Sequence, residues 1–342
     1  FRKLEKTVSD YTSDSFDGFD KEDVLGLLKD RFDEGKKDLE EALETMRALC
    51  EPVLPPKASI DYIRYFCGDV ENPYSLKENE LKRIKLYRSV SHLLRTYADI
   101  ANDMVKAGFT QGEAKSIEQE VRHFEQVRME IKLASGDYID LKKYESAMRT
   151  LIDRYIAADE SEKLSSFDDM TLVDLIVKRG EDAIKELPES VRQSQEATAE
   201  TIENNVRKLI IDETPTNPKY YQRMSELLDE LVKKRKQEDV AYKEYLAQIV
   251  ALTKQARNPE DSSYYPTSVN TKAKQALYDN LGRDEDKASV VHEAVIASRS
   301  ADFRGNPIKE RAIMIALKNV LPDASTDDLK NLFEIIKNQH EY

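Results

Sequence analysis

Apolar residues recur along this chain at threes and fours far more often than at twos. Ile84, Tyr87, Leu94, Ala98, Ala101 and Val105 form one such stripe. Ile117, Val121, Phe124, Arg128 and Ile131 follow the same period with one basic exception, and Tyr144, Met148, Leu151, Ile152 and Tyr155 form a third. This is the spacing of amphipathic helices. No alternating run is long enough for a strand, and the short Lys208–Ile211 stretch sits inside a helical pattern. The pattern predicts an all-α protein.

Punctuation agrees with the period. Neither glycine nor proline occurs from Tyr74 to Ala107, or from Lys219 to Asn258. Loops seldom run so long without the dihedrals those residues supply. Asn72-Pro73, Asn217-Pro218 and Asn306-Pro307 each set a capping Asn before a proline suited to a first helical turn. Thr110 with Glu113 reads as a capping box, and Ser325 with Asp328 as a shorter version of one. Gly108, Gly136, Gly180 and Gly282 fall where helices should stop.

Between Lys219 and Arg257, Tyr221, Met224, Leu228 and Leu231, then Tyr242, Tyr245, Ile249, Leu252 and Ala256, step at an average of about 3.5, a coiled-coil period. Arg235 and Glu238 occupy the same seam between the halves. One helix over 219–257 would span about 58 Å. The expectation is a lobed multi-helix bundle bridged by that long helix. Proline-rich Glu51–Lys57 and polar Asn258–Ser268 mark boundaries, giving segments 1–57, 58–257 and 258–342, the last a small C-terminal helical subdomain.

Composition narrows the class. The 342 residues carry a net charge of −13, with 35% charged residues, ten glycines, eleven prolines and no tryptophan. Collagen-like, disulfide-framework and proline-rich disordered chains are thereby excluded. No apolar stretch approaches the ~18 residues of a membrane span. Cys50 and Cys67 are the only cysteines, which fits free thiols in a reducing, cytoplasmic setting. The chain begins at Phe1 without Met or a signal peptide, so it reads as starting mid-domain.

Motifs for catalysis are sparse. Gly35-Lys36 is followed by Lys37 rather than the hydroxyl of a phosphate loop, and no two glycines have dinucleotide-binding spacing. His292-Glu293 opens like a zinc-protease helix, but position 296 is Ile. His92, His123, His292 and His340 have no ligand spacing with one another or with the cysteines. There is no Gly-x-Ser-x-Gly elbow. Acid pairs such as Asp168-Asp169 read as surface or cap residues in so acidic a chain. No catalytic, cofactor-binding or metal-binding residue is expected.

Two features could bind a partner. Leu81–Tyr97 contains no acid and carries Lys82, Arg83, Lys85, Arg88, His92 and Arg95. Lys85, Arg88, His92 and Arg95 share one helix face, so Lys82, Lys85, Arg88 and Arg95 are candidate phosphate contacts, against the plain reading of a solvated or internally paired face. Phe303, Arg304 and Asn306 are candidate docking residues, against the plain reading of a helix-start junction. The basic run Lys233–Lys236 is answered at once by Glu238 and Asp239 and reads as a wet mid-helix segment.

Several runs together carry a resemblance. These are His123–Arg128 with Leu133–Lys142, Asn204–Glu213, Asn217–Glu230, Leu277–Gly282, Phe303–Lys309 and the terminal Asn338–Tyr342. They resemble the C-terminal helical region of the R subunit of type I restriction–modification enzymes. The likeness covers most of residues 75–342, and the preceding part is similar to the segment leaving the second motor domain of such subunits. It implies a parent with a PD-(D/E)xK nuclease domain and two RecA-like motor domains, which hydrolyses ATP with Mg, draws in duplex DNA and cuts it. It implies partners in the methyltransferase and specificity subunits, with DNA contact open, and neither membrane nor small-molecule substrate. None of the parent's nuclease or motor motifs lies in this stretch, which is therefore expected to be a truncated, non-catalytic part. It would dock the motor subunit onto the methyltransferase core or guide DNA to the motor.

Overall fold

A computed structural model describes residues 21–137, 170–259 and 265–342, with side chains from residue 31 onward. Among the described residues there are fourteen α-helices, one 3-10 helix and no strand. The helices are α1 (Lys21–Cys50), α2 (Ser59–Cys67), α3 (Ser75–Glu78), α4 (Glu80–Ile100), α5 (Gln111–Ser135), α6 (Leu172–Arg179) and α7 (Glu189–Arg192). They continue as α8 (Gln195–Glu213), α9 (Pro218–Lys236), α10 (Tyr242–Arg257), α11 (Lys272–Asn280), α12 (Glu285–Ser298), α13 (Pro307–Val320) and α14 (Thr326–Lys337). The all-α expectation holds. The Tyr144–Tyr155 stripe and Asp168-Asp169 lie outside the described residues.

The chain divides into two compact units, and one cut between them falls at Pro52–Val53. One contains residues up to Pro52 and Ile84–Arg128, the other Val53–Arg83 and almost everything from Met129 on. In the first unit, α1 buries Leu39, Leu43, Met46 and Cys50, one stripe at helical spacing. From α4 come Leu86, Val90, Leu93 and Tyr97, and from α5 Ile117, Val121, Phe124 and Val127. Gly35 lets α1 and α4 approach closely, since a Cβ there would lie 2.6 Å from the Ile100 side chain. Arg128, the basic exception in its stripe, is buried and bonds Glu125 at 2.5 Å. The α4 stripe ends earlier than its sequence period: the helix stops at Ile100, and Val105 is 60% exposed.

The second unit is organised on α8, which is buried around its whole circumference, including Glu200, Glu203, Asn204, Asn205 and Arg207. The 219–257 segment is not one helix. It breaks at Gln237–Ala241, where Glu238 takes φ +57, and α9 and α10 fold into an antiparallel hairpin. The Tyr220 hydroxyl donates to the Gln255 carbonyl at 2.7 Å and that of Tyr221 to Ala256 at 3.2 Å, fixing the start of α9 against the end of α10. The heptad-like seam is thus two facing stripes. The reason is burial: a straight rod would leave Tyr221, Met224 and Leu228 without Tyr245, Ile249 and Leu252, all of which are buried here.

Residues 273–342 enclose a core of their own, built on Leu277, Val291, Val295, Phe303, Ile313, Leu317, Leu332 and Ile336. Local helix signals read from sequence are realised. Asn217 and Asn306 cap helices that begin with proline, and Thr110 and Glu113 exchange both capping-box bonds. Gly108, Gly136, Gly180 and Gly282 all take positive φ. Asn72 departs slightly, accepting from the Tyr74 N–H in a turn two residues ahead of α3.

Both cysteines are buried, Cys50 at 3% and Cys67 at 0% exposure. Burial pushes the Cys67 thiol up to about 12, so it holds little thiolate at neutral pH. A water-soluble disulfide reagent should label neither residue in the native protein and both in denaturant. Rapid native labelling would contradict this packing.

Candidate functional site

The basic face of α4 is open. Lys85, Arg88, His92 and Arg95 are exposed, and among the described residues none of the four has an ion-pair partner. Their spacing of three, four and three places them within an arc of about 80° and along about 15 Å of helix. Ser89 and Ser91 flank the strip, and the first acid beyond it on this face is Asp99. The opposite face carries the buried Leu86, Val90, Leu93 and Tyr97, so packing fixes which way the cations point.

Two neighbouring cations do other work. The Lys82 ammonium donates to the Tyr65 carbonyl at 3.1 Å and lies 4.2 Å above the Tyr65 ring. Arg83 is 2% exposed, paired with Asp137 at 2.6 Å and donating to the Leu76 carbonyl at 2.7 Å. The sequence-derived quartet therefore loses Lys82 and keeps Lys85, Arg88 and Arg95, with His92 between them.

The second candidate group changes role. Phe303 is 1% exposed and sits in the C-terminal core, so it cannot present itself to a partner. Arg304 lies over its ring at 4.7 Å and donates to the Lys337 and Gln339 carbonyls, closing the end of α14. Asn306 accepts from the N–H groups of Ile308 and Lys309, the capping role of the plain reading. Docking through Phe303 is thus corrected by its burial.

The sequence reading missed an exposed apolar surface on the same lobe. Ile308 is 84% and Ile315 54% exposed, and with the exposed Ala312 they follow helical spacing along the outside of α13. On its neighbour α12, Val290 and Ile296 are exposed while Ala288, Val291 and Val295 are buried. An α12 apolar around most of its circumference was the available signal, since such helices are usually covered on more than one side. A groove of about 890 Å³ lies elsewhere on the lobe, lined by Pro218, Leu281, Val320, Leu321, Leu332 and Ile335 among others.

Buried charge in this unit is committed to structure. Glu203 accepts a bidentate pair from Arg235 at 2.8 and 2.9 Å and a bond from the Tyr245 hydroxyl at 2.9 Å. Burial pulls the Arg235 guanidinium down, but the hydrogen bonds and charge of Glu203 outweigh it and leave its pKa above the ordinary value. Glu200 bonds Arg64, yet burial holds its carboxyl above the usual range. Asp279 is likewise raised by burial, against bonds from Tyr265 and Asn217. These carboxylates lie at helix contacts, each with a named structural donor. Among the described residues, no group of three or more His, Cys, Asp or Glu is placed to hold a metal ion. No helix among them is long and apolar enough to cross a membrane.

Residues 30–299 match the family model described as "Type I restriction enzyme HindI endonuclease subunit-like, C-terminal". No curated protein matches the chain, and no solved structure does.

Proposed function

The chain belongs to the HindI-like family of type I restriction enzyme endonuclease subunits, as a C-terminal region, and from that premise we propose that it is a non-catalytic assembly module. Its task is to dock the ATP-dependent translocase and endonuclease subunit onto the methyltransferase–specificity core. The observation that carries this reading is the exposed apolar stripe of α13, with Ile308 at 84% and Ile315 at 54% exposure. Isolated exposed hydrophobics are ordinary, but apolar residues repeated along one outward helix face are the anchors of helix-mediated contacts. In this reading ATP and Mg serve other parts of the parent subunit, and this stretch takes no cofactor of its own.

The test is co-purification with the cognate methyltransferase–specificity core. Ile308→Asp combined with Ile315→Asp should weaken association at least tenfold, the cost of losing two apolar anchors of about 1 kcal/mol each. Because both side chains point outward, thermal unfolding should be little changed. Undiminished association of the double variant, or ATP or DNA turnover by the purified chain, would count against the reading.

A further inference from the structure

The geometry points to a second, separate contact: the Lys85–Arg88–His92–Arg95 strip of α4 lies against the phosphate backbone of duplex DNA. It goes beyond the docking reading, because it concerns residues of the other compact unit.

The strip offers three full positive charges and one imidazole over about 15 Å, a length of duplex axis that carries roughly nine phosphate charges. All four side chains are exposed, and among the described residues no acid pairs with any of them. This matters in a chain of net charge −13, where a neighbouring acid would be the easy partner. Other basic residues show that outcome: Arg47 is bidentate to Glu120 at 2.6 Å, and Lys236 pairs with Asp69 and Glu71. Leaving three consecutive strip cations unpaired keeps their charge available.

The chemistry of the strip also discriminates among partners. Protein interfaces draw their affinity from aromatic and aliphatic anchors surrounded by a polar rim. Between Lys85 and Arg95 the outward arc has none, since Leu86, Val90, Leu93 and Leu94 are turned inward and buried, and a single exposed Leu81 one turn before Lys85 is the apolar side chain on that face. A lipid surface would also ask for outward apolar side chains beside the cations. A phosphate backbone asks only for cations and hydrogen-bond donors at regular intervals. Sequence preference is not expected, since nothing on the strip reads a base edge rather than a phosphate.

The experiment is fluorescence anisotropy of a short labelled duplex titrated with the 342-residue chain at 50 and 200 mM salt. Three phosphate contacts give a slope of about −2.7 in log affinity against log salt, so affinity should fall roughly 40-fold over that range. Lys85→Glu, Arg88→Glu and Arg95→Glu combined should abolish this component. The neutral triple Gln variant should lose it without introducing repulsion, and circular dichroism should show the helices intact in both. Lys82→Ala should keep most of the binding. The inference is overturned if the Gln triple variant binds duplex like the parent, or if parent binding does not respond to salt. It is also overturned if the triple variants keep duplex binding but no longer co-purify with the methyltransferase core, which would make the strip a protein contact. The Ile308→Asp, Ile315→Asp variant should bind duplex normally, so failure of either proposal is read apart from the other.

Discussion

Truncating Glu203 to alanine should destabilise the second unit by about 3–5 kcal/mol, the range for breaking one side of a buried ion pair. Glu203 is 1% exposed on α8, the helix around which this unit is assembled. Its two oxygens take both guanidinium bonds of Arg235, from the last turn of α9, and the hydroxyl of Tyr245, from the first turn of α10. Removing it strips an Arg235 side chain that is only 11% exposed of both its carboxylate bonds, and leaves a fully buried phenol without its acceptor. The pair is not stabilising in the sense that a hydrophobic substitute would be worse. Desolvation consumes most of its Coulombic gain, so Glu203→Leu with Arg235→Met and Tyr245→Phe should recover most of the loss. Urea unfolding followed by tyrosine fluorescence distinguishes these cases, with a lower midpoint and unchanged slope expected for Glu203→Ala. A loss below about 1 kcal/mol for the single variant would show that water reaches Arg235 and that the triad is not a buried network.

The same triad explains where sequence reading succeeds and where it stops. Helix ends were legible because their causes are local: Asn306 bonds N–H groups two and three residues ahead, and Thr110 and Glu113 bond each other. The strip at Lys85–Arg95 was legible for a similar reason, since one helix alone decides which side chains share a face. The break at Gln237–Ala241 was not. The apolar seam resumes in register beyond it, and Arg235 looks like a solvated seam position until Glu203, 32 residues earlier, is placed against it. Lys82 was lost from the strip to Tyr65, and Val105 from its stripe to a helix end at Ile100; both outcomes depend on packing that periodicity does not encode.

Phe303 shows the sharpest divergence, and it yields the other large effect. An aromatic followed by arginine and a Gly-Asn-Pro turn reads as a helix-start junction or an exposed anchor, and neither reading shows the core that Phe303 fills, because helix α14 lies more than twenty residues downstream. At 1% exposure it is a plug. Phe303→Ala should therefore cost about 3–5 kcal/mol, the transfer term of a buried ring plus the cavity it leaves. The loss should concentrate in the C-terminal lobe, whose core is largely its own. Arg304 would lose the ring beneath its guanidinium at the same time, loosening its bonds to the Lys337 and Gln339 carbonyls. Amide hydrogen exchange is the discriminating measurement. Protection should fall across α12, α13 and α14 and persist in α1, α4 and α5. A variant that kept protection in all three C-terminal helices yet lost its partner would return Phe303 to the surface. Phe303→Leu, which keeps most of the buried volume, should hold both protection and partner association close to those of the parent.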